Sequence, residues 1–491
     1  MKTYCHFLCS ILFFLPLMMF SQDGTFDPTF GDNGYILTNN DTTCSAYDLV
    51  QQTDEKLVVT AGEHWSQNEI PSLIRYHTDG TLDLTFGDNG STLTGIGRGK
   101  VDLQSNEKII VGGISEDTYV TRRYTDLGVL DTSFADNGTL EPIGNASLMT
   151  VLDDNNLLLI GLEIDGTDGS IILQKYLPNG AIDVNFGANG ISSIPVLAEG
   201  LSLSRFMIQN DGSILVLLTR GHYNSPEVIL IKVLATGFID SSFGNNGFTI
   251  KNIPVTPGYG ESISARGIDV AQNGNIFICG KSGTRQTGIN PYLLRFLPNG
   301  QIDGSFGDNG FYYLPNNFRW PIPFQMIIQE NGRILIAQIK DPYEPGYVFS
   351  ISRHFPNGSI DPSFTLDELE SDQIWGYGII MQSDGKIVGF GRKLDTSCSM
   401  FIGRYNNNPL GVPEFETEEF TVFPNPSEGL FTLKSNSDFD SETTYVVTDI
   451  SGKVIQKGVL QNSETTIDLS EAQNGMYFLK TTNNVIRLLK H

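Results

Sequence analysis

"GTFDPTFGDNG" at residues 24–34 concentrates Gly, Asp, Asn and Phe in a stretch that suits neither a helix nor a long strand. It recurs as "GTLDLTFGDNG" at 80–90, "GVLDTSFADNG" at 128–138, "GAIDVNFGANG" at 180–190, "GFIDSSFGNNG" at 237–247 and "GQIDGSFGDNG" at 300–310, with a degenerate "GSIDPSFTLDE" at 358–368. Phe30, Phe86, Phe134, Phe186, Phe243, Phe306 and Phe364 therefore mark seven units, spaced 48 to 63 residues apart. Self-similarity at such a period is the signature of a repeat architecture.

The same sub-elements return inside each unit. A short apolar stretch ("YIL", 35–37) is followed by a second ("AYDLV", 46–50) that runs into a tight polar turn such as "QNDGS" at 209–213 or "QSDGK" at 382–386. Turn residues of this kind between two apolar runs predict a β-hairpin. A third run is strongly β-prone ("KLVVTAG", "KIIVGG", "SILVLL"), and a fourth ends in a cation with a large neighbour, as in Arg75-Tyr76 or Arg404-Tyr405. Four strands per unit and seven units predict an all-β chain whose main part is a seven-bladed β-propeller, in which radial repetition leaves only short sheet edges. An open β-solenoid is the rival, although its rungs are usually shorter than these units. The undecapeptide is expected to connect one blade's last strand to the next blade's first, its Gly and Asn taking backbone angles other residues resist and its Phe filling the gap between sheets.

An acid follows the fourth-strand cation at a constant interval: Arg75 and Asp83, Arg123 and Asp131, Lys175 and Asp183, Lys232 and Asp240, Arg295 and Asp303, Arg353 and Asp361. A ring of cations lining a channel and a buried ion pair repeated in each blade both fit this spacing. The uniform repetition favours the ion pair, because an active site should break the symmetry.

Residues 1–21 carry Lys2 and an apolar run that stops at "SQDG", the pattern of a secretory signal peptide; a retained anchor is the alternative. No later segment approaches the roughly 20 apolar residues that a spanning helix needs. A net charge of -25 argues against non-specific nucleic-acid binding, which needs a basic footprint. Beyond residue 21 only Cys44, Cys279 and Cys398 remain, too few for a disulfide scaffold and without zinc spacing. The topology puts Cys44 and Cys398 on one face, where a disulfide across the ring closure fits an exported protein. Cys279, in "NIFICG", is expected to be a buried core thiol.

The domain reading is 22–406 for the propeller, 407–419 for a Pro-, Asn- and Glu-rich linker, and 420–491 for a small antiparallel β-sandwich with turns at Pro424–Gly429, Ser451-Gly452 and Asn474-Gly475. Two resemblances rest on these residues. The repeated "G-x-[LI]-D-x-[ST]-F-G-x-N-G" followed by "Q-x-D-G-K-[IL]-[LV]-V" resembles the delta-sixty type of β-propeller repeat of secreted bacterial proteins, over about 24–406. The seventh copy departs by losing its Gly-Asn-Gly turn. The tail resembles the type A sorting domain of type IX secretion at Pro424, Asn425, Pro426, Gly429, Asp449, Gly452, Lys453, Asp468, Leu469, Gly475, Tyr477 and Lys490. The second resemblance implies passage across the outer membrane, the secretion machinery as partner, and delivery to the cell surface or the medium. A generic accessory sandwich is the alternative.

No linear catalytic motif is present: neither His-Glu-x-x-His, Gly-x-Ser-x-Gly nor a phosphate-cradling Gly-Lys-Ser/Thr occurs, although each marks a well-defined chemistry. No cofactor and no metal is expected. Calcium at "EIDGTDG" (163–169) or at the "GDNG" turns is an open alternative to solvated turns, without EF-hand spacing. The first and third connections of each unit vary in length whereas the second is always tight, so one face should carry variable loops, where binding residues usually lie. Trp65, Trp320 and Trp375 fall in those loops, in units that become neighbours on ring closure. With Tyr343 and Tyr377 they are the expected ligand-binding residues, a shallow aromatic site for glycan or peptide; the alternative is that each Trp plugs its own loop. The expected function is that of an exported binding protein. A loop-built polysaccharide lyase or hydrolase and a purely structural surface component are the alternatives.

Overall fold

The computed structural model describes residues 23–38, 44–62, 71–221, 226–253, 264–283, 290–314, 321–340, 348–369, 373–394, 399–407, 420–435, 444–449, 453–460, 464–480 and 485–491. Among these the regular elements are all β-strands, and no helix is long and apolar enough to cross a membrane. The chain divides into two compact units, Met1–Pro409 and Leu410–His491.

The first unit is a succession of antiparallel sheets. The first sheet is Ser45–Gln51, Leu57–Gly62, Ser72–Tyr76 and Ser91–Leu93, in that order. The short run after each Asn-Gly turn is thus the outermost strand of the sheet begun before it, and the undecapeptide joins the third and fourth strands of one sheet. This corrects the expectation that it links one blade to the next. Local bonds cause the difference: Asp83 N donates to Arg75 O (2.9 Å), Gly90 N to Phe86 O (2.8 Å), and Arg75 N to Gly90 O (3.2 Å), folding the undecapeptide back on the strand it leaves. The reversal needs left-handed backbone at Asn89 (φ 51°) and Gly90 (φ 96°); a Cβ on Gly90 would lie 2.7 Å from the Leu82 side chain.

Six sheets have four strands. The sixth sheet has three among the described residues: Ile322–Ile328, Ile334–Lys340 and Val348–His354. Its undecapeptide is the degenerate copy, and the last residues of that copy bind the N-terminal segment instead, Thr365 N donating to Asp23 O and Asp367 N to Gly24 O. The last sheet is completed from the other end of the sequence. Tyr35–Leu37 pairs with Ser399–Tyr405 in the register Tyr35↔Gly403, outside Ile387–Lys393 and Ile374–Met381.

Each sheet packs on the next through an apolar cluster holding one repeat Phe. Phe86 lies between sheets one and two with Val58 and Val111. Phe134 follows with Ile110 and Leu157, Phe186 with Leu158 and Val216, Phe243 with Leu215 and Ile278, Phe306 with Phe277 and Ile336, and Phe364 with Phe349 and Ile387. Phe30 closes the series with Val388 of the last sheet and Val59 of the first. The expectation that the Phe fills the gap between sheets holds at every junction. These rings are at most 2% exposed, apart from Phe364 at 8%.

The second unit has two antiparallel sheets: Phe420–Phe423, Leu430–Ser435 and Glu464–Asp468, and Val454–Val459, Thr444–Asp449, Gly475–Lys480 and Val485–Lys490. Their inner faces share a core of Phe431, Leu433, Tyr445, Val447, Ile467, Leu479 and Leu488, as alternation in a sandwich requires.

Candidate functional site

The repeated cations are spent on structure. Arginine Nε lies 2.7–2.9 Å from the aspartate in Arg75–Asp83, Arg123–Asp131, Arg295–Asp303 and Arg353–Asp361, and the lysine pairs at 175–183 and 232–240 stand at 3.7 and 3.6 Å. The last sheet closes the set with Arg404 and Asp27, 2.8 Å apart. In the arginine units the guanidinium also lies 4.6–4.9 Å over the repeat Phe ring, a cation–π contact. It reaches the next unit as well: Arg75 Nη1 donates to Asp126 O, Arg123 Nη1 to Pro178 O and Arg404 Nη1 to Thr78 O, each at 2.5 Å. Asp83 is held well below the usual carboxylate range: burial opposes its charge and is outweighed by hydrogen bonds from Thr85 and by Arg75 and Lys56. The spacing thus builds an inter-sheet clasp rather than a cation-lined channel.

The units differ from one another on the first strand of each sheet. These inner strands are Ser45–Gln51, Gly97–Leu103, Leu148–Val151, Leu201–Ile208, Ser264–Val270, Ile322–Ile328 and Ile374–Met381. Several are stitched to the next by side chains. Asp48 accepts from Val101 N (3.0 Å), Asp102 from Val151 N (2.8 Å), Asp269 from Ile328 N (2.6 Å), and Gln325 exchanges two 2.9 Å bonds with Ile379. Burial pushes Asp102 and Asp269 up against these bonds. Between the inner strands of the first four sheets lies a cavity of about 390 Å³, lined by Asp48, Lys100, Asp102, Thr150, Arg205 and Met207 among others.

Six inner strands carry a register shift near the end where they arrive from the variable loops, leaving Tyr47, Arg98 with Gly99, Ser204, Arg266, Phe324 and Tyr377 out of step with the neighbouring strand. A bulge re-aims a side chain and recurs next to active sites. The Tyr47 and Tyr377 rings meet at 5.6 Å. Burial raises the Tyr377 hydroxyl's pKa, opposed by Arg392, Arg98 and a hydrogen bond with Ser45. Arg98 sits at φ 50°, a backbone state that a non-glycine residue holds at a cost. Arg205 Nε donates to Arg266 O (2.5 Å) and Nη2 to Phe324 O (3.1 Å), and burial weighs against its charge, partly offset by Asp48.

Of the five predicted aromatic site residues, Trp65, Trp320 and Tyr343 lie outside the described residues. Trp375 and Tyr377 share one inner strand. Both are half-buried: Tyr377, at the bulge, packs against the cluster of Ala46, Leu49 and Phe390, and Trp375 against that of Phe324, Phe349 and Ile374. Tyr47, Arg98, Arg205, Arg266 and Arg392 escaped the sequence reading. One signal was available for the arginines: none has the acid eight residues on that marks a clasp, positions 106, 213, 274 and 400 being Asn, Ser, Gly and Met.

Cys44 is fully buried and disulfide-bonded, and Cys398, its predicted partner, lies outside the described residues. Cys279 is a buried free thiol, pushed up to about 12 by burial. "EIDGTDG" forms the hairpin in which Asp165 faces Asp168. Among the described residues no group of three or more His, Cys, Asp or Glu side chains is placed to hold a metal ion.

In the second unit the predicted sorting residues meet at one end. Asn425 accepts from Leu489 N (2.9 Å) and donates to Arg487 O (2.7 Å). Pro424 and Pro426 follow cis peptide bonds. A Cβ on Gly429 would lie 2.8 Å from Ser470. Lys490 Nζ donates to Ser470 O and Ala472 O, and the Tyr477 hydroxyl to Gln473 O. Gly475 opens the strand that carries Tyr477, and Gly452 lies outside the described residues.

Residues 421–490 match the secretion system C-terminal sorting domain, and residues 271–306 match a domain of unknown function, the DUF5122 beta-propeller. No curated protein matches this chain. Among solved structures, PorZ, an essential bacterial surface component of the type IX secretion system of Porphyromonas gingivalis, is similar at 12% identity and TM-score 0.39, over 94% of this chain and 60% of its own. The chain thus spans less than two thirds of PorZ. Polysaccharide lyase Uly1 is similar at 12% identity and TM-score 0.46, over 74% of this chain and 90% of its own. A protein of unknown function from Dyadobacter fermentans is similar at 12% identity and TM-score 0.40, over 76% and 97%. The chain is thus an all-β repeat protein with a DUF5122 β-propeller match at residues 271–306, and its C-terminal sorting domain sends it through type IX secretion to the cell surface or the medium.

Proposed function

We propose that this chain is an exported binding protein that receives a glycan or peptide on its variable-loop face. In this reading residues 1–21 are a signal peptide, the sheets of 22–406 are seven blades of one closed propeller, 407–419 is a linker, and 420–491 engages the secretion machinery. The observation that carries the binding role is the bulged rim, where half-buried Tyr377 is displaced from the sheet register near Arg98 and Arg392, while Tyr47 and Phe324 at the corresponding bulges are buried. A half-buried aromatic ring flanked by guanidinium groups suits recognition. The test is intrinsic fluorescence of the exported protein, titrated with soluble polysaccharides and peptides. A saturable change that Arg98→Gln and Tyr377→Ala weaken in protein that remains folded supports the reading. A flat response across the panel from folded protein returns the chain to a structural role.

A further inference from the structure

Resting on that reading, we infer that the rim and the cavity beneath it form a site for an anionic glycan, whose carboxylate or sulfate groups are taken by Arg98, Arg205, Arg266 and Arg392.

Every clasp arginine has its aspartate within 2.9 Å, whereas these four have no carboxylate within ion-pair distance among the described residues. The contrast is sharp in a chain of net charge -25, where a spare acid is nearly always at hand. Arg98 and Arg266 have exposed surface at their bulges, although the surrounding protein weighs against the Arg266 charge. Arg392 stands opposite Trp375 in the sheet register, and its enclosed Nε has no hydrogen-bond partner among the described residues. Charges of Arg98 and Arg392 both act on the Tyr377 hydroxyl, which places both near it. Arg205 and Lys100 line the cavity of about 390 Å³ together with Asp48, Asp102 and Asp153, the first two of these carboxylates being spent on backbone N–H groups of the next inner strand; the volume is within the usual range of small-ligand sites. Arg205 is held by the Arg266 and Phe324 carbonyls, but leaving Arg98, Arg266 and Arg392 without a carboxylate has no benefit for the fold, because each could be neutralised as the clasp cations are. Their planar forks match carboxylate and sulfate oxygens in pairs.

A glycan is favoured over an acidic peptide by the backbone. An extended peptide would add to the inner strands through main-chain hydrogen bonds. The N–H groups of Val101, Val151, Ile328 and Ile379 are already capped by Asp48, Asp102, Asp269 and Gln325. Recognition is left to side chains, with half-buried Tyr377 offering a ring and the arginines offering charge.

The test is calorimetric titration of the exported protein with four probes: an oligogalacturonate, a sulfated dextran oligosaccharide, neutral dextran of equal length, and hexaglutamate. Saturable binding of at least one anionic glycan, weaker as salt rises and at least about tenfold weaker in Arg98→Gln/Arg266→Gln, is the expected result. The carboxylate and sulfate arms then identify which anion is preferred. Both side chains are exposed without ionic partners, so the variant should melt as the parent does. Binding of neutral dextran that the variant leaves unchanged overturns the anionic assignment while sparing the binding role. Tighter binding of hexaglutamate overturns the glycan assignment, and no saturable binding of any probe overturns both.

Discussion

Acid should destabilise this protein through one residue, His354. The position after the clasp cation is Tyr76, Tyr124, Tyr176, Val233, Phe296 or Tyr405 in the other sheets, and the sixth sheet alone places a titratable imidazole there. His354 is 2% exposed, with Nδ1 3.0 Å from Gly358 O and Nε2 2.9 Å from Ser352 Oγ. A carbonyl can only accept, so the neutral ring carries its proton on Nδ1 and Nε2 accepts from Ser352. Burial lowers its pKa from 6.5 to about 4, against the opposing pull of Gly358 O and Asp361. A lowered histidine pKa means that the unfolded chain binds the proton first, so stability is lost as pH falls from about 6.5 towards 4 and is unaffected above. Between pH 7.5 and 4.5 the shift corresponds to about 2.5 kcal/mol. The assay is urea unfolding of the full chain at both pH values, with His354→Phe alongside. The clasp aspartates, whose pKa values are lowered, lose their contribution mainly below pH 4, and they are common to both proteins. Subtraction therefore isolates the histidine. The phenylalanine variant should lose about 2.5 kcal/mol less on acidification than the parent, whatever its own offset from the two lost hydrogen bonds. Equal acid sensitivity would refute the reasoning and mean that the folded sheet accepts the charged ring.

Three further outcomes follow from the clasp, the tail and the thiols. Asp27→Ala strands the buried Arg404 at the ring closure and should cost about 3–5 kcal/mol, whereas Asp240→Ala, beside the more exposed Lys232, should cost about 1 kcal/mol or less; urea midpoints at pH 7.5 compare the two. Removing residues 420–491 should hold the protein in the periplasm, and its appearance in the medium by fractionation and immunoblot would contradict the sorting role. Cys44→Ser should abolish the mass change that the parent shows on reduction and should cost about 2–4 kcal/mol, read by intact-mass and thermal measurements.

The repeat, its Phe plugs, the cation–acid spacing and the sorting tail were legible in the residues because each is local: turn chemistry, alternation and a fixed eight-residue interval act within one unit. The same local rules left the sheet partner of "YIL" open. A short strand after a tight turn can start a new sheet or finish the old one with equal pattern, and only the bonds folding Gly90 back to Arg75 decide between them. Ring closure shows the same limit, since Arg404 and Asp27 are 377 residues apart and no interval announces their pairing. The rim lies further still beyond the sequence. Tyr47, Arg98, Arg205, Arg266 and Tyr377 come from five different units, and their shared position depends on bulges that slip each inner strand by a residue or two. The sequence by itself thus determined the repeating unit and the destination of the chain, which short-range stereochemistry specifies. Which residues converge was decided by the tertiary structure alone, because closing a ring of sheets joins side chains that no sequence interval relates.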